Sequence, residues 1–227
     1  MLSLRVKQRS KLWKMLKEQG KNYISSTELA AVFHASVYGS RKKLFHDKSN
    51  KRVKRFPSSL AQEHGNKWEP VAIKVACAQL DQALEKKHTW MQPGIIRDPW
   101  SVLGCSPDQI CEDFGLEIKC PWKRKLPETK YDIIPDNLLQ CFACIHISKL
   151  PHWYLWYFDA YTARSVVYHI EANQKLWDEE ISPKARDFLE LVEIGDLKEG
   201  LRVKRKEDKI LWEALRMKLL EGVERVL

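Results

Sequence analysis

The sequence has no long apolar run. No stretch approaches the roughly 18 consecutive apolar residues that a membrane-spanning helix needs, and the mean hydropathy is −0.46. Residues 1–21 carry seven basic residues and no continuous apolar segment, unlike a secretory signal. These absences favour a soluble, intracellular protein that has no membrane partner.

Acidic residues are also in short supply. The 227 residues include 39 Lys and Arg against 30 Asp and Glu, which gives a net charge of +9 and a pI of about 9.2. This excess makes a polyanion such as nucleic acid the natural partner. The basic residues form three groups, within residues 5–21, 41–55 and 204–206. Such groups also suit a solvated surface or, at residues 51–55, a nuclear-import signal.

No internal repeat is visible, and only residues 46–58 resemble a polar linker. The hydrophobic content of 44% and the nine Trp residues argue against disorder. A domain of this length buries roughly 70 to 75% of its unfolded surface. We therefore predict a single domain over residues 1–227, with residues 46–58 as a basic polar connection.

The apolar periodicity predicts helices on both sides of a set of short strands. Helices are predicted at residues 7–19, 25–35, 58–86 and 135–148 and twice more near the C-terminus, and strands at residues 90–96, 101–105, 116–120, 153–160 and 165–171. Pro70 predicts either a kink in the third helix or a break into two helices. The order α-β-β-β-α-β-β-α predicts an α/β fold with a mixed sheet between helices.

Residues 104–121 contain the most informative motif. Pro107-Asp108 is followed by Glu117-x-Lys119 in a strand-like run, and strand alternation puts Glu117 and Lys119 on one face. Two carboxylates can hold a divalent cation against a phosphate, while an ammonium group orients or helps deprotonate water. The pattern therefore predicts a metal-dependent phosphodiesterase. The spacing suits a β-hairpin, and the alternative is an ordinary strand with exposed charges that follows a Pro-Asp turn.

Two further polar residues lie on helices next to this motif. Glu69 lies on the helix before the sheet, from which a third carboxylate could reach the metal. Gln140 lies on the helix after the Glu-x-Lys strand, where its amide could bond a phosphate or water. Sequence order leaves two alternatives open, an acidic residue near a helix N-terminus for Glu69 and an ordinary helix-face amide for Gln140.

Six cysteines raise the question of a zinc site. Cys141-x-x-Cys144 has ligand-like spacing, and Cys105, Cys111 and Cys120 lie in the same region. However, the Cys-x-x-Cys pair falls in a predicted helix, and the others lie beside apolar strand residues, where cysteine behaves as a small hydrophobe. We therefore interpret these cysteines as core residues.

The same motifs resemble the lambda exonuclease family of viral and phage recombination nucleases, also called YqaJ-like, over about residues 13–164. Residues 105–108 and 115–121 reproduce the family's Cys-Ser-Pro-Asp-Gly…Gly-Leu-Glu-Leu-Lys-Cys-Pro signature. Residues 65–72 resemble its Gly-x-x-(Tyr/Trp)-Glu-x-x-Ala helix, and residues 24–28 its Ile-Thr-Ala-Ser-Glu element.

This resemblance implies a restriction-endonuclease-like fold, α/β with a mixed β-sheet flanked by helices. The implied metal ligands are Asp108, Glu117, the Ile118 carbonyl group and Glu69; the implied catalytic residues are Asp108, Glu117, Lys119, Glu69 and Gln140; and the implied DNA-binding residues, near a terminal 5′ phosphate, are Lys17, Thr27, Ser106 and Gln140. Lys119 is expected to orient the attacking water as a base partner.

The sequence departs from the family pattern in three places. The Gly after the motif Asp is Gln109, and the loop from Asp to Glu is one residue shorter. The family's phosphate-gripping Arg has no clean equivalent, and Lys17 is the best candidate. A Lys binds phosphate as a point charge without the bidentate fork of Arg.

We therefore predict a Mg²⁺-dependent 5′ to 3′ exonuclease that acts on duplex DNA with free ends, in viral or phage-type recombination or replication, with Mn²⁺ as an alternative metal. The rival functions are an endonuclease or junction resolvase with the same site, and a non-catalytic DNA-binding protein of this fold. The resemblance also implies a ring-shaped homotrimer, a single-strand annealing partner and, if the protein is viral, a location in the host nucleus or cytoplasm.

Overall fold

The computed structural model describes residues 2–4, 10–18, 23–49, 58–97, 102–123, 125–196, 198 and 206–227. Its helices are α1 (Lys11–Glu18), α2 (Leu29–Val32), α3 (Arg41–Ser49), α4 (Leu60–Ala83), α5 (Pro135–Ser148), α6 (Gln174–Leu176), α7 (Ser182–Ile194) and α8 (Lys206–Glu221). Its strands are β1 (Leu2–Leu4), β2 (Ile24–Ser25), β3 (Ile95–Arg97), β4 (Leu103–Cys105), β5 (Gln109–Ile110), β6 (Gly115–Lys119), β7 (His152–Phe158), β8 (Ser165–Glu171) and β9 (Val223–Arg225). Within these ranges no helix combines the length and the apolar character needed to cross a membrane.

The described strands form two mixed sheets rather than the one predicted. The larger sheet has the order β5-β6-β7-β8-β9, in which β6 and β7 are parallel and the other neighbours antiparallel. The smaller sheet has the order β1-β3-β4-β2, in which β2 and β4 are parallel. Helix α5 packs against strands of both sheets and so joins them. The predicted class, an α/β fold with mixed sheets and flanking helices, is confirmed.

The core lies on both faces of the larger sheet. Alternation along β7 sends Trp153 and Leu155 to a cluster with α5, whereas Trp156 joins a second cluster with α4. Leu116 of β6 packs in the second cluster, against Ala72, Ala76 and Leu80 of α4. The face of β6 that carries Glu117 is therefore directed towards α5.

Helix α4 runs without interruption through Pro70 over 24 residues. Its N-terminus has the capping box that Ser59 and Gln62 form, in which the Gln62 side chain accepts from the Ser59 backbone at 2.9 Å. Of the two predictions for this region, the break into two helices is therefore wrong. Glu69 therefore lies on the same continuous helix as the apolar residues that pack on β6.

Helix α3 was not predicted and corrects the proposed polar connection. Residues 46–49 belong to this helix rather than to a linker, and residues 50–57 lie outside the described part of the chain. Although the helix is rich in basic residues, one side of it is buried and consists of Arg41, Leu44 and Phe45. The Arg41 guanidinium lies 4.8 Å from the centre of the Phe188 ring of α7, a contact that a local pattern cannot reveal.

Candidate active site

The motif of residues 107–119 forms a β-hairpin. Asp108 immediately precedes β5, which pairs antiparallel with β6 through Gln109 and Leu116. The Asp108 carboxylate accepts a hydrogen bond from the Ile118 backbone N–H at 2.8 Å. This bond ties the carboxylate to the strand that carries Glu117. The hairpin predicted from the sequence is therefore present.

Both motif carboxylates are buried. Asp108 is 7% exposed and Glu117 is 3% exposed. Carboxylates are rarely buried to this extent unless they are paired or bind a metal. The alternative of an ordinary strand with exposed charges therefore does not describe these two residues.

Glu117, Lys119 and Gln140 form a closed hydrogen-bonded triangle. Glu117 Oε1 accepts from Lys119 Nζ at 2.7 Å and from Gln140 Nε2 at 2.6 Å, and Gln140 Oε1 accepts from Lys119 Nζ at 2.9 Å. Strand alternation directs Glu117 and Lys119 to the face that α5 covers, so Gln140 reaches both. The other carboxylate oxygen, Glu117 Oε2, is buried and accepts no hydrogen bond from any described residue.

The electrostatics of the site favour a bound cation. Burial and the negative charges of Glu117 and Glu69 raise the pKa of Asp108 well above its usual range. Burial lowers the pKa of Lys119, but the charges of Glu117 and Asp108 and the hydrogen bond to Glu117 outweigh it, so its pKa is raised. These neighbours favour the ammonium form of Lys119, which can orient water. Its expected role as a base partner stays a prediction.

The carboxylates fit a hard divalent cation such as Mg²⁺, which prefers oxygen ligands. An unpartnered buried carboxylate oxygen beside a second carboxylate costs free energy, which a cation bound in addition to the Lys119 ammonium would offset. Among the described side chains no three of the His, Cys, Asp and Glu type are close enough to form a complete metal site. The two motif carboxylates are the candidate ligands, and the charge of Glu69 contributes to the raised pKa of Asp108.

A cavity of about 440 Å³ brings the predicted site residues together. It is lined by Thr27, Glu69, Ser106, Asp108, Glu117, Lys119 and Gln140, among others. Ile118 does not line this cavity, and its observed link to the candidate site is the backbone N–H group that donates to Asp108. The helical backbone of Lys17 belongs to α1, but its side chain lies outside what the structure describes. Lys119 is the only cation among the described residues of the cavity wall.

The hydroxyl groups predicted to bind phosphate are held in place by neighbours. Ser106 Oγ accepts from Trp13 Nε1 at 3.1 Å and donates to the Gly94 carbonyl. Thr27 Oγ1 lies 3.0 Å from Ser25 Oγ. The hydrogen bond between Trp13 and Ser106 connects α1 to the motif hairpin.

Sequence reasoning missed two polar residues of the cavity wall, Gln62 and Asn66. With Glu69 they are spaced by four and three residues along α4, so they form one stripe of the helix. This spacing was the signal that could have identified them.

The basic group of residues 41–55 is only partly available to DNA. Arg41 is buried, and Lys48 donates to the Tyr23 carbonyl at 2.7 Å and lies 2.8 Å from Glu28. Both side chains are therefore engaged within the fold. Lys42 is exposed, and residues 50–57 lie outside the described ranges.

All six cysteines are described and are free thiols. Cys105, Cys141 and Cys144 are buried together between α5 and the smaller sheet. Burial raises the pKa of Cys141 and of Cys144 well above the usual range. Protonated thiols in this environment behave as core residues.

Comparison with known protein families identifies the family of the chain. The model of the YqaJ-like viral recombinase domain matches residues 12–155, which is more than half of the chain. The chain belongs to the YqaJ-like viral recombinase family. The match includes the motif hairpin and every residue of the triangle. No curated protein sequence matches the chain significantly.

Solved structures share the fold of this YqaJ-like protein. The alkaline exonuclease LHK-Exo from Laribacter hongkongensis has a TM-score of 0.62 at 17% identity and covers 92% of this chain and 100% of its own. The complex of LHK-Exo with dAMP has a TM-score of 0.62 at 18% identity, and the match covers 90% of this chain and 99% of that chain. A phage-related exonuclease from Haemophilus somnus 129PT has a TM-score of 0.52 at 10% identity, and the match covers 85% of this chain and 96% of that chain. At these identities the likeness establishes the fold.

Proposed function

We propose that this YqaJ-like protein is a Mg²⁺-dependent exonuclease that hydrolyses duplex DNA from free ends in the 5′ to 3′ direction, with Mn²⁺ as an alternative metal. The observation that carries this proposal is the buried, unpartnered Glu117 Oε2 beside Asp108 and the Lys119 ammonium. The structural relatives described above, which are exonucleases, and the dAMP complex of one of them support it.

Asp108, Glu117, Glu69 and the Ile118 carbonyl group would hold the cation. A bound Mg²⁺ supplies Lewis-acid stabilisation of the phosphate charge and lowers the pKa of water. Lys119, kept protonated by its carboxylate neighbours, donates hydrogen bonds that orient the attacking water or a phosphate oxygen. Gln140 fixes the spacing of Glu117 and Lys119, because it bonds to both.

Recognition of a DNA end requires a pocket for a terminal phosphate. Thr27, Ser106 and Gln140 supply hydroxyl and amide groups to the cavity that contains the carboxylates, and Lys17 is the proposed cation on α1. The Ser106 hydroxyl would turn from the Gly94 carbonyl to donate to the phosphate. Charge-assisted hydrogen bonds to such a phosphate are worth about 1.5 to 3 kcal/mol each. A 5′ phosphate should therefore accelerate initiation relative to a 5′ hydroxyl end.

The family membership supports further proposals about the assembly. We propose a ring-shaped homotrimer around DNA, a single-strand annealing protein as partner, and action in viral or phage-type recombination in the host nucleus or cytoplasm. Light scattering of the purified protein would test the trimer directly.

The decisive experiment compares nucleotide release from linear and closed circular duplex in the presence of Mg²⁺. We expect release from the linear form only, and Lys119→Ala should lower the rate by about two orders of magnitude or more, as for loss of a preorganised electrostatic group. Lys175→Ala, which removes an exposed lysine of α6, is the matched control and should leave the rate unchanged. Nicking of closed circles, or near-normal turnover of Lys119→Ala, would contradict the proposal.

A further inference from the structure

A second cavity adjoins the catalytic one. It has a volume of about 470 Å³ and is lined by Lys119, Pro121, Trp122, Lys125, Tyr38 and Tyr157, among others. Lys119 lines both cavities, so they adjoin at this residue. A volume of this size lies within the range of small-molecule binding sites. None of the functions assigned to the carboxylate cavity uses this space.

Tyr38 is held at the entrance of this cavity by a preorganised turn. The Asp136 carboxylate accepts from Ser36 Oγ and, at 2.9 Å, from the Val37 backbone N–H. Ser36 Oγ in turn accepts from the backbone N–H groups of Tyr38 and Gly39, each at 3.1 Å. Asp136 lies one helical turn before Gln140 on α5. The backbone of Tyr38 is thus fixed to the helix that supports the catalytic triangle.

The side chain of Tyr38 is nevertheless 67% exposed. Its ring therefore contributes little to the core, and the turn that fixes its backbone presents it to solvent beside the cavity. Exposed aromatic residues on rigid supports are typical of binding surfaces, because little side-chain entropy is lost when they make contacts.

Trp122 supplies a second aromatic ring three residues after Lys119. The Lys123 ammonium lies 4.6 Å from the centre of its ring, and Lys125 lines the same cavity. Aromatic rings beside ammonium groups are the combination with which proteins bind a nucleic-acid strand, since bases stack on the rings and phosphates pair with the cations.

We propose that Tyr38 and Trp122 form a nucleobase-stacking subsite for a nucleotide that flanks the scissile phosphate. Stacking on the face of a base is tolerant of sequence, so the subsite positions any nucleotide beside Lys119. The ligand is a nucleotide of the DNA strand being degraded. This inference rests on the proposed nuclease function, because it takes the scissile phosphate to lie at the carboxylates.

The test uses 5′-phosphorylated duplexes that carry a single abasic residue at the first or the second position of the degraded strand. With wild-type protein, removal of the stacked base should slow the cleavage step at one of these positions by about five- to one-hundred-fold. The double variant Tyr38→Ala/Trp122→Ala should be slowed by a similar factor on intact DNA and should no longer distinguish abasic from intact ends. Tyr38→Phe and Trp122→Phe retain a ring and should restore much of the discrimination.

Tyr131→Ala, which removes another exposed tyrosine outside these cavities, is the control and should behave as wild type. Wild-type protein that cleaves abasic and intact ends equally, or a double variant that keeps the wild-type discrimination, would overturn the subsite.

A binding measurement separates this inference from the nuclease proposal. With Ca²⁺ in place of Mg²⁺, the affinity for an intact oligonucleotide should exceed that for its abasic counterpart in the wild type but not in the double variant. Absence of hydrolysis with Mg²⁺ and Mn²⁺ would refute the nuclease, whereas equal affinities for the two oligonucleotides would refute the stacking subsite.

Discussion

The buried carboxyl group of Asp108 is suited to binding a ligand, but its ionised form lowers the stability of the fold. Its pKa is raised by burial and by the charges of Glu117 and Glu69. A carboxyl group that binds its proton more tightly in the folded state loses stabilising free energy as the pH rises from its unfolded pKa through its folded pKa. In the absence of metal, the ionised form therefore destabilises the fold at neutral and alkaline pH.

Replacing this charge should raise stability and remove activity. Asp108→Asn keeps an oxygen that can accept from the Ile118 N–H group, so we expect the free energy of unfolding at pH 7 to rise by about 0.5 to 2 kcal/mol. DNA cleavage should fall to background. Urea denaturation in the presence of a chelator measures the first effect, and a less stable variant would contradict the argument.

His146 is a second residue whose protonation opposes folding. Its ring stacks on Trp177, with 4.7 Å between the ring centres, and contacts Phe142, with 4.8 Å between the ring centres. Burial lowers its pKa from 6.5 to about 4, although the Gln174 side chain opposes this effect. Because the unfolded chain binds this proton more readily, stability is lost as the pH falls from about 6.5 through about 4.

The loss should amount to at most about 3 kcal/mol, since one pKa unit corresponds to about 1.4 kcal/mol. His146→Phe cannot be protonated and should remove this part of the pH dependence. Denaturation curves of both proteins at pH 7.5 and pH 4.5 provide the measurement. Equal losses of stability in the two proteins would show that other groups are responsible.

At the scale of elements, helix α4 carries a local defect next to the candidate active site. Pro70 has no N–H group, so the Asn66 carbonyl lacks its helical donor. Asn66 and Glu69 both line the catalytic cavity within this turn. The position of the Glu69 carboxylate therefore depends on a turn that lacks its ordinary hydrogen bond.

Restoring that hydrogen bond should raise stability and lower activity. We expect Pro70→Ala to raise the free energy of unfolding by about 1 kcal/mol or more and to lower the nuclease rate several-fold, because the tightened turn moves Glu69. Gln79→Ala, an exposed change on the same helix, should do neither. Thermal denaturation and the linear-duplex assay measure the two effects, and an unchanged rate for Pro70→Ala would show that Glu69 is insensitive to this turn.

The elements also show which parts of the site were predictable. Alternation along β6 placed Glu117 and Lys119 on one face correctly, because that rule is local. The burial of Glu117 was not predictable from the strand, since α5 covers this face only through tertiary packing. Strands β1, β5 and β9 have two or three residues and show no periodicity. The need for glycine at position 115 was also not predictable from the strand, because it comes from the Trp153 ring of β7, with which an added Cβ would clash.

At the scale of the whole molecule, the two apolar clusters cannot separate without breaking one strand. Successive residues of β7 enter opposite clusters, Trp153 and Leu155 one of them and Tyr154 and Trp156 the other. Strands β7 and β8 therefore serve both faces of the larger sheet. This arrangement supports the proposal of a single domain.

We accordingly expect one cooperative unfolding transition. Far-ultraviolet circular dichroism, which follows the helices, and tryptophan fluorescence, which follows the clusters, should give coincident curves in urea. Two separated transitions would indicate that the clusters unfold independently and that the single-domain proposal is wrong.

The hydrogen bond from the Ile118 N–H group to Asp108 makes this backbone amide a spectroscopic probe of the active site. The resonance of an amide proton responds to the charge of its acceptor, so its chemical shift should follow both the titration of Asp108 and the arrival of a cation. Labelling isoleucine with ¹⁵N would reduce the spectrum to the amide signals of the 14 isoleucines, of which Ile118 is one. Metal occupancy could then be followed without a nucleic-acid substrate, and separately from turnover.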